Sequence, residues 1–308
     1  MKIREVFAEL VFKIGKKDKN LIVMVGDISH GILKKFRDSF PDRYYNIGIC
    51  EPSMVNLAAG LSKVGLNPVI HTIAPFLIER SYEQIKLDFG YQKLPVNIVS
   101  VGGAFDYSKL GCSHHCYVDV SLLSHFKDAN IVLPASEQEF KKIFSKIYKE
   151  KKINYFRLPE HKHDVEIDLK KIVFGKIVKI YDGKDVSLVA SGTMLKQAKI
   201  AAEFCKKNGI DVELLYVHTL KPFDKKTILK SVKKTKKIIT VEDLSAHDGL
   251  YSLCLKTIYS INDVKTKQLA IKDFIHSYGS FDDLCKKSGI DVKNIIKQIK
   301  NINAKKNY

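Results

Sequence analysis

The sequence is poor in chain-breaking residues: glycine (17) and proline (8) fall well short of their usual combined share of about 12% of a chain, here 308 residues long. Collagen-like and low-complexity architectures are therefore excluded. No apolar run approaches the roughly 20 residues needed to cross a bilayer, and the stretch from Lys2 to Glu9 lacks the apolar core of a secretory signal. A cytoplasmic protein is expected. Six cysteines, at positions 50, 112, 116, 205, 254 and 285, are too few and too scattered for a disulfide framework, and are read as reduced thiols. Acidic residues are outnumbered, 34 against 52 Lys and Arg, for a net charge of +18. The lysines lie in short dispersed runs such as Lys16-Lys17 and Lys233-Lys234, with no interleaved aromatics, a pattern of solvated faces rather than of a polyanion surface.

What is present is enough for two cores. Hydrophobic residues make up 45% of the chain, and its length suits two domains. Short β-branched runs at 21–25, 68–72, 96–101 and 130–133 read as buried strands, and they alternate with helical spacing over 53–64, 78–91, 117–126 and 136–149. Ser136 followed by Glu137 and Glu139 opens the last of these as an N-terminal cap with acids in the first turn. A polar stretch around 159–171 reads as a linker. A second series then follows, with strands at 186–190, 212–217, 238–241 and 268–271, a helix over 194–208 closed by Gly209, and a basic helical segment over 281–302. The pattern predicts an α/β protein with parallel sheets, a first domain over 1–165 and a smaller α/β domain over 175–308.

One segment carries chemistry. Gly48-Ile49-Cys50-Glu51-Pro52-Ser53-Met54, continuing to Ala58-Ala59-Gly60, puts an acid at a strand-to-helix junction before a helix of small residues. Alone, Glu51 reads as a first-turn acid stabilised by the helix dipole. Downstream come Ala74-Pro75-Phe76-Leu77, then Arg80-Ser81-Tyr82-Glu83-Gln84, then Gly111-Cys112-Ser113-His114-His115. The second half adds Ser191-Gly192-Thr193, His218-Thr219-Leu220-Lys221-Pro222 and Val241-Glu242-Asp243. In order and spacing these strings resemble the transketolase family of thiamine diphosphate enzymes, with its pyrimidine-binding domain followed by its C-terminal domain.

The resemblance implies roles. Glu51 would hydrogen-bond the ring nitrogen of the cofactor's aminopyrimidine as the activating acid, Phe76 would stack on that ring, and Arg80 would shape the same pocket. His114 would donate to the substrate oxygen on which charge develops, with His115 beside it. Arg4, 23 residues before Asp27, and Arg157 would hold an anionic, phosphate-type substrate end, to which a guanidinium fork is suited. Zinc at Cys112, His114, His115 and Cys116 is disfavoured, because four ligands within five residues cannot readily wrap one tetrahedral ion. The Gly-Asp-Gly string with which the family holds diphosphate and a divalent metal does not occur. The resemblance therefore implies a split enzyme: this chain would be the C-terminal subunit, its partner an N-terminal transketolase subunit holding magnesium or calcium with the diphosphate, in an α2β2 assembly.

The substrate-facing positions depart from the pattern of sugar-phosphate enzymes, with Gly102, Leu110 and Gly31 where a histidine, an aspartate and a serine are usual. Two related activities stay open, those of deoxyxylulose phosphate synthase and of the β subunit of a 2-oxo acid dehydrogenase. A non-catalytic basic scaffold binding nucleic acid is the rival from another class.

Overall fold

The computed structural model describes residues 2–304. Its first layer is a seven-stranded sheet, six of whose strands, β1 (Leu21–Val25), β2 (Tyr44–Asn46), β3 (Asn67–Ile73), β4 (Val96–Val101), β5 (Ala129–Val132) and β6 (Ile153–Leu158), are parallel. Every residue of β1, β4 and β5 is buried, which is why these strands read as nearly continuous apolar runs and not as alternating ones; β6 is equally buried but carries Asn154 and Arg157. Helix α1 (Ile3–Gly15) precedes the sheet, and α2 (Lys34–Ser39), α3 (Glu51–Lys63), α4 (Tyr82–Gln84), α5 (Asp119–Ser124) and α6 (Glu137–Ile147) lie in the crossovers. Ser136 caps α6 by accepting from the Glu139 backbone N–H, as its sequence predicts.

The second sheet contains β7 (Val178–Tyr181), β8 (Val186–Ser191), β9 (Val212–Val217), β11 (Lys237–Ser245) and β12 (Lys265–Ile271) in the order β12-β11-β8-β9-β7, with only β7 antiparallel. Between β9 and β11 the chain returns to the first sheet, where β10 (Thr219–Lys221) pairs antiparallel with β5 at the edge. Around this sheet lie α7 (Leu195–Lys207), α8 (Lys225–Thr235), α9 (Leu250–Ile258), α10 (Phe281–Lys287) and α11 (Val292–Asn303). No helix among the described residues is long and apolar enough to cross a membrane.

Three local readings differ from the structure. The helix expected over 78–91 is two π-helical stretches, Pro75–Glu79 and Ile85–Tyr91, on either side of α4. The terminal basic helix is broken into α10 and α11, with Gly289 at φ +69° between them. The segment 159–171 is no loose linker. Within it His163 is buried, and its Nε2 lies 2.8 Å from Glu139 of α6, whose other oxygen accepts from the Tyr216 hydroxyl on β9, also at 2.8 Å.

In the first sheet β1 lies between β2 and β3, so the chain reverses its winding direction there, and the loops leaving the carboxyl ends of the strands open a crevice. His71 sits inside this end of β3. Its Nδ1 donates to the Val99 carbonyl at 2.7 Å, Nε2 is 2.9 Å from the Ser29 hydroxyl, and its ring packs on Phe7. Burial, with a smaller push from Arg4, lowers its pKa to about 4 despite the Val99 bond. An unfolded histidine titrates near 6.5, so the native state binds fewer protons between the two values. Stability is then fully present above about 6.5 and falls towards pH 4 by up to about 3 kcal/mol. Denaturant unfolding at about pH 4.5 and about pH 7.5 should show this loss in the wild type and a smaller one in His71→Gln.

Candidate active site

The crevice is furnished by three loops. Glu51 is the first residue of α3, which starts where the chain leaves β2. Its carboxylate is only 1% exposed and is held by Arg80, whose Nη1 donates to Oε2 at 2.8 Å. Arg80 reaches it from the end of the π-helical stretch after β3, where the wider helical turn puts Arg80 and Phe76 on one face. The Arg80 carbon Cζ stands 4.3 Å from the centre of the Phe76 ring, a cation–π contact, while the side chain remains 45% exposed. Arg80 thus fixes the acid and covers one face of the aromatic ring at once.

The third loop runs from β4 to α5 and brings in the histidines. The His114 ring stands edge-on to Phe76 with centroids 5.0 Å apart, and its Nδ1 lies 3.0 Å from the Ser113 hydroxyl. Burial lowers its pKa from the ordinary histidine value, so at neutral pH the ring is uncharged and one nitrogen carries a proton to donate. Glu51, Phe76, Arg80 and His114 are therefore brought together. His115 is buried against Phe105, and its Nε2 has no hydrogen-bond partner among the described residues.

The two arginines are placed otherwise. Arg157, at the end of β6 and 4% exposed, donates from Nη2 to Asp243 of β11 at 2.8 Å and from Nη1 to Asp119 of α5 at 3.3 Å. It ties the two sheets together. Tyr155 joins the same cluster, its hydroxyl donating to Asp119 at 2.5 Å. Arg4 pairs with Glu160. Of the four suspected zinc ligands, Cys112 is exposed and Cys116 buried, and no group of three or more His, Cys, Asp or Glu among the described residues could hold a metal ion.

Sequence reasoning missed Tyr107 and Glu160. The Tyr107 ring packs 6.2 Å from His114 and lies over Gly102. The signal for it was Gly102 itself: the backbone there has φ +77°, and a Cβ would collide with Tyr107 Cε2.

These features define a class: an α/β protein whose doubly wound sheet presents a buried acid, an aromatic ring and a neutral imidazole at its switch point, with a second α/β unit locked against it. Residues 1–164 match the transketolase pyrimidine binding domain, and residues 175–295 match the transketolase C-terminal domain. The chain belongs to the transketolase family, whose members depend on thiamine diphosphate.

Two subunit relatives are similar along nearly their whole length. The 6-deoxy-6-sulfo-D-fructose transketolase subunit SqwH of Clostridium sp. (strain MSTE9) is 28% identical over 99% of this chain and 96% of its own. A subunit of the apulose-4-phosphate transketolase of Phocaeicola vulgatus is 29% identical over 96% of this chain and 95% of its own. A solved structure described as a split gene transketolase, inactive beta4 tetramer, superposes with a TM-score of 0.88 at 24% identity, covering 98% of both chains, and shares the fold.

Proposed function

We propose that this chain is the pyrimidine-binding and C-terminal subunit of a thiamine diphosphate-dependent transketolase that moves a two-carbon ketol unit between sugar-type substrates. The observation that carries the reading is the buried Glu51 carboxylate, anchored by Arg80 beside the Phe76 ring and within one ring contact of His114. This donor set fits the aminopyrimidine half of the cofactor: a carboxylate to share a proton with a ring nitrogen, and an aromatic ring to orient the heterocycle. When bound, thiamine diphosphate supplies the thiazolium carbon that adds to the donor carbonyl and takes up the electron pair left as the carbon–carbon bond breaks. Glu51 holds the pyrimidine in the tautomer whose exocyclic nitrogen accepts a proton. His114 donates a hydrogen bond to the substrate oxygen on which charge grows, and its burial keeps it neutral for that task.

The diphosphate and its magnesium or calcium ion fall to a separate diphosphate-binding subunit, and two copies of each chain form the cytoplasmic assembly. The subunit names of the relatives support this division. Purified alone, the chain should give no ketol transfer from hydroxypyruvate to an aldose, and a partner carrying Gly-Asp-Gly should restore turnover. Full activity without the partner would overturn the split-site reading. Turnover of pyruvate in place of hydroxypyruvate would instead assign the decarboxylating chemistry of a deoxyxylulose phosphate synthase.

A further inference from the structure

At the substrate end remote from the reacting carbonyl, the family resemblance expects two arginines to receive an anion. Neither guanidinium is free. Arg157 is divided between Asp119 and Asp243. Arg4 Nη2 lies 2.7 Å from Oε1 of Glu160, and Lys2 Nζ lies 3.7 Å from Oε2, with the Arg4 and Glu160 side chains only 26% and 18% exposed. The Arg4 contact is an ion pair without an aligned N–H···O bond, and Oε1 keeps its hydrogen-bonding capacity unused.

Tyr107 joins this pair to the rest of the site. Its phenol lies within the field of Glu160, Asp106 and Arg4: burial, reinforced by the two carboxylates against the opposing pull of Arg4, holds it firmly protonated. Ring contacts thus run from Phe76 to His114 and on to Tyr107, and Tyr107 in turn lies within electrostatic reach of the Glu160–Arg4 pair. The Tyr107 ring also fills the space beside Gly102, where enzymes acting on sugar phosphates carry a histidine.

On the reading that the chain is a ketol-transfer subunit, we propose that Glu160 and Tyr107 close the distal pocket to phosphate, so that the substrates carry an uncharged, hydroxylated end. A phosphate approaching Arg4 meets the Glu160 carboxylate already there, and like charges set against each other across a site discriminate strongly. A hydroxyl instead donates to that carboxylate and accepts from the tyrosine, leaving no buried group unpaired.

The test uses the two-subunit complex with fructose and fructose 6-phosphate as alternative donors. The wild type should have a kcat/KM for fructose at least equal to that for the ester. Glu160→Gln frees Arg4 and should raise the ester-to-free ratio by about tenfold, the worth of one charge-assisted contact. Arg4→Gln should leave the wild-type ratio unchanged. A wild-type preference for the ester that Arg4→Gln abolishes overturns the proposal.

Titration of this chain alone with inorganic phosphate, followed by phosphorus NMR, gives a readout independent of turnover. Binding should be negligible in the wild type, measurable in Glu160→Gln and lost again when Arg4→Gln is added. Binding by the wild type that Arg4→Gln removes overturns the proposal even if no donor is turned over. Failure of both donors in the complex, with the expected phosphate response intact, strikes the ketol-transfer reading and leaves the closed anion site standing.

Discussion

Replacing Glu51 by glutamine should slow exchange of the thiazolium proton in the reconstituted complex by about 10²–10⁴, the usual worth of a positioned acid–base group. Glutamine keeps the length and hydrogen-bonding reach of the side chain but cannot share a proton with the pyrimidine nitrogen. Assembly should survive, since the change is nearly isosteric and Arg80 can still donate to the amide oxygen that replaces Oε2. Were Glu51 only a first-turn acid of α3, the substitution would cost between a few tenths and about 1 kcal/mol of stability and leave exchange intact. Proton exchange and melting temperature measured on one sample separate the two roles. Normal exchange with lowered stability would remove Glu51 from the chemistry.

Arg157→Met should be the most damaging substitution for the fold. It leaves Asp119 and Asp243 facing each other without their shared cation, and breaking a buried pair in this way costs about 3–5 kcal/mol. Asp243 is already pushed upward by burial, with Arg157 as the group that opposes the shift. For a chain of this size the loss corresponds to a fall in melting temperature of roughly 10 °C. Arg157→Lys should recover only part of it, because a single ammonium cannot reach two carboxylates with the spread of a guanidinium fork. If Arg157 held substrate instead, Arg157→Met would raise KM and leave the unfolding transition in place.

The sequence announces the cluster of Glu51, Phe76, Arg80 and His114 better than the surroundings of Arg4 and Arg157, for a physical reason. Glu51, Phe76, Arg80 and His114 each lie in a segment that leaves the carboxyl end of a strand of the first sheet, and each stands within a short run of neighbours that leaves a readable string. The partners of Arg4 and Arg157 come from elements distant in sequence, Glu160 after β6 and Asp243 on β11, and a spacing count cannot show that a guanidinium is already taken. The strands were legible where burial on both faces made them continuous. β6, with the polar Asn154 and the charged Arg157 inside it, and the three-residue β10 were not. The π-helical stretches were hidden because a helix widened by one residue per turn keeps almost the same apolar spacing over so short a length.

β10 makes the border between the domains in sequence a poor guide to the border in space. The last strand of the first sheet is drawn from beyond the connecting segment, and Leu133 at the end of β5 donates its N–H to the His218 carbonyl just before it. A chain cut anywhere in that connection would leave β5 with an open edge, the template on which sheets of different molecules join. Any ancestral or engineered rearrangement of this protein is thereby constrained. The first sheet is completed only by a strand from the second half, so a cut after the sixth strand breaks the first domain itself and not merely the link between two domains.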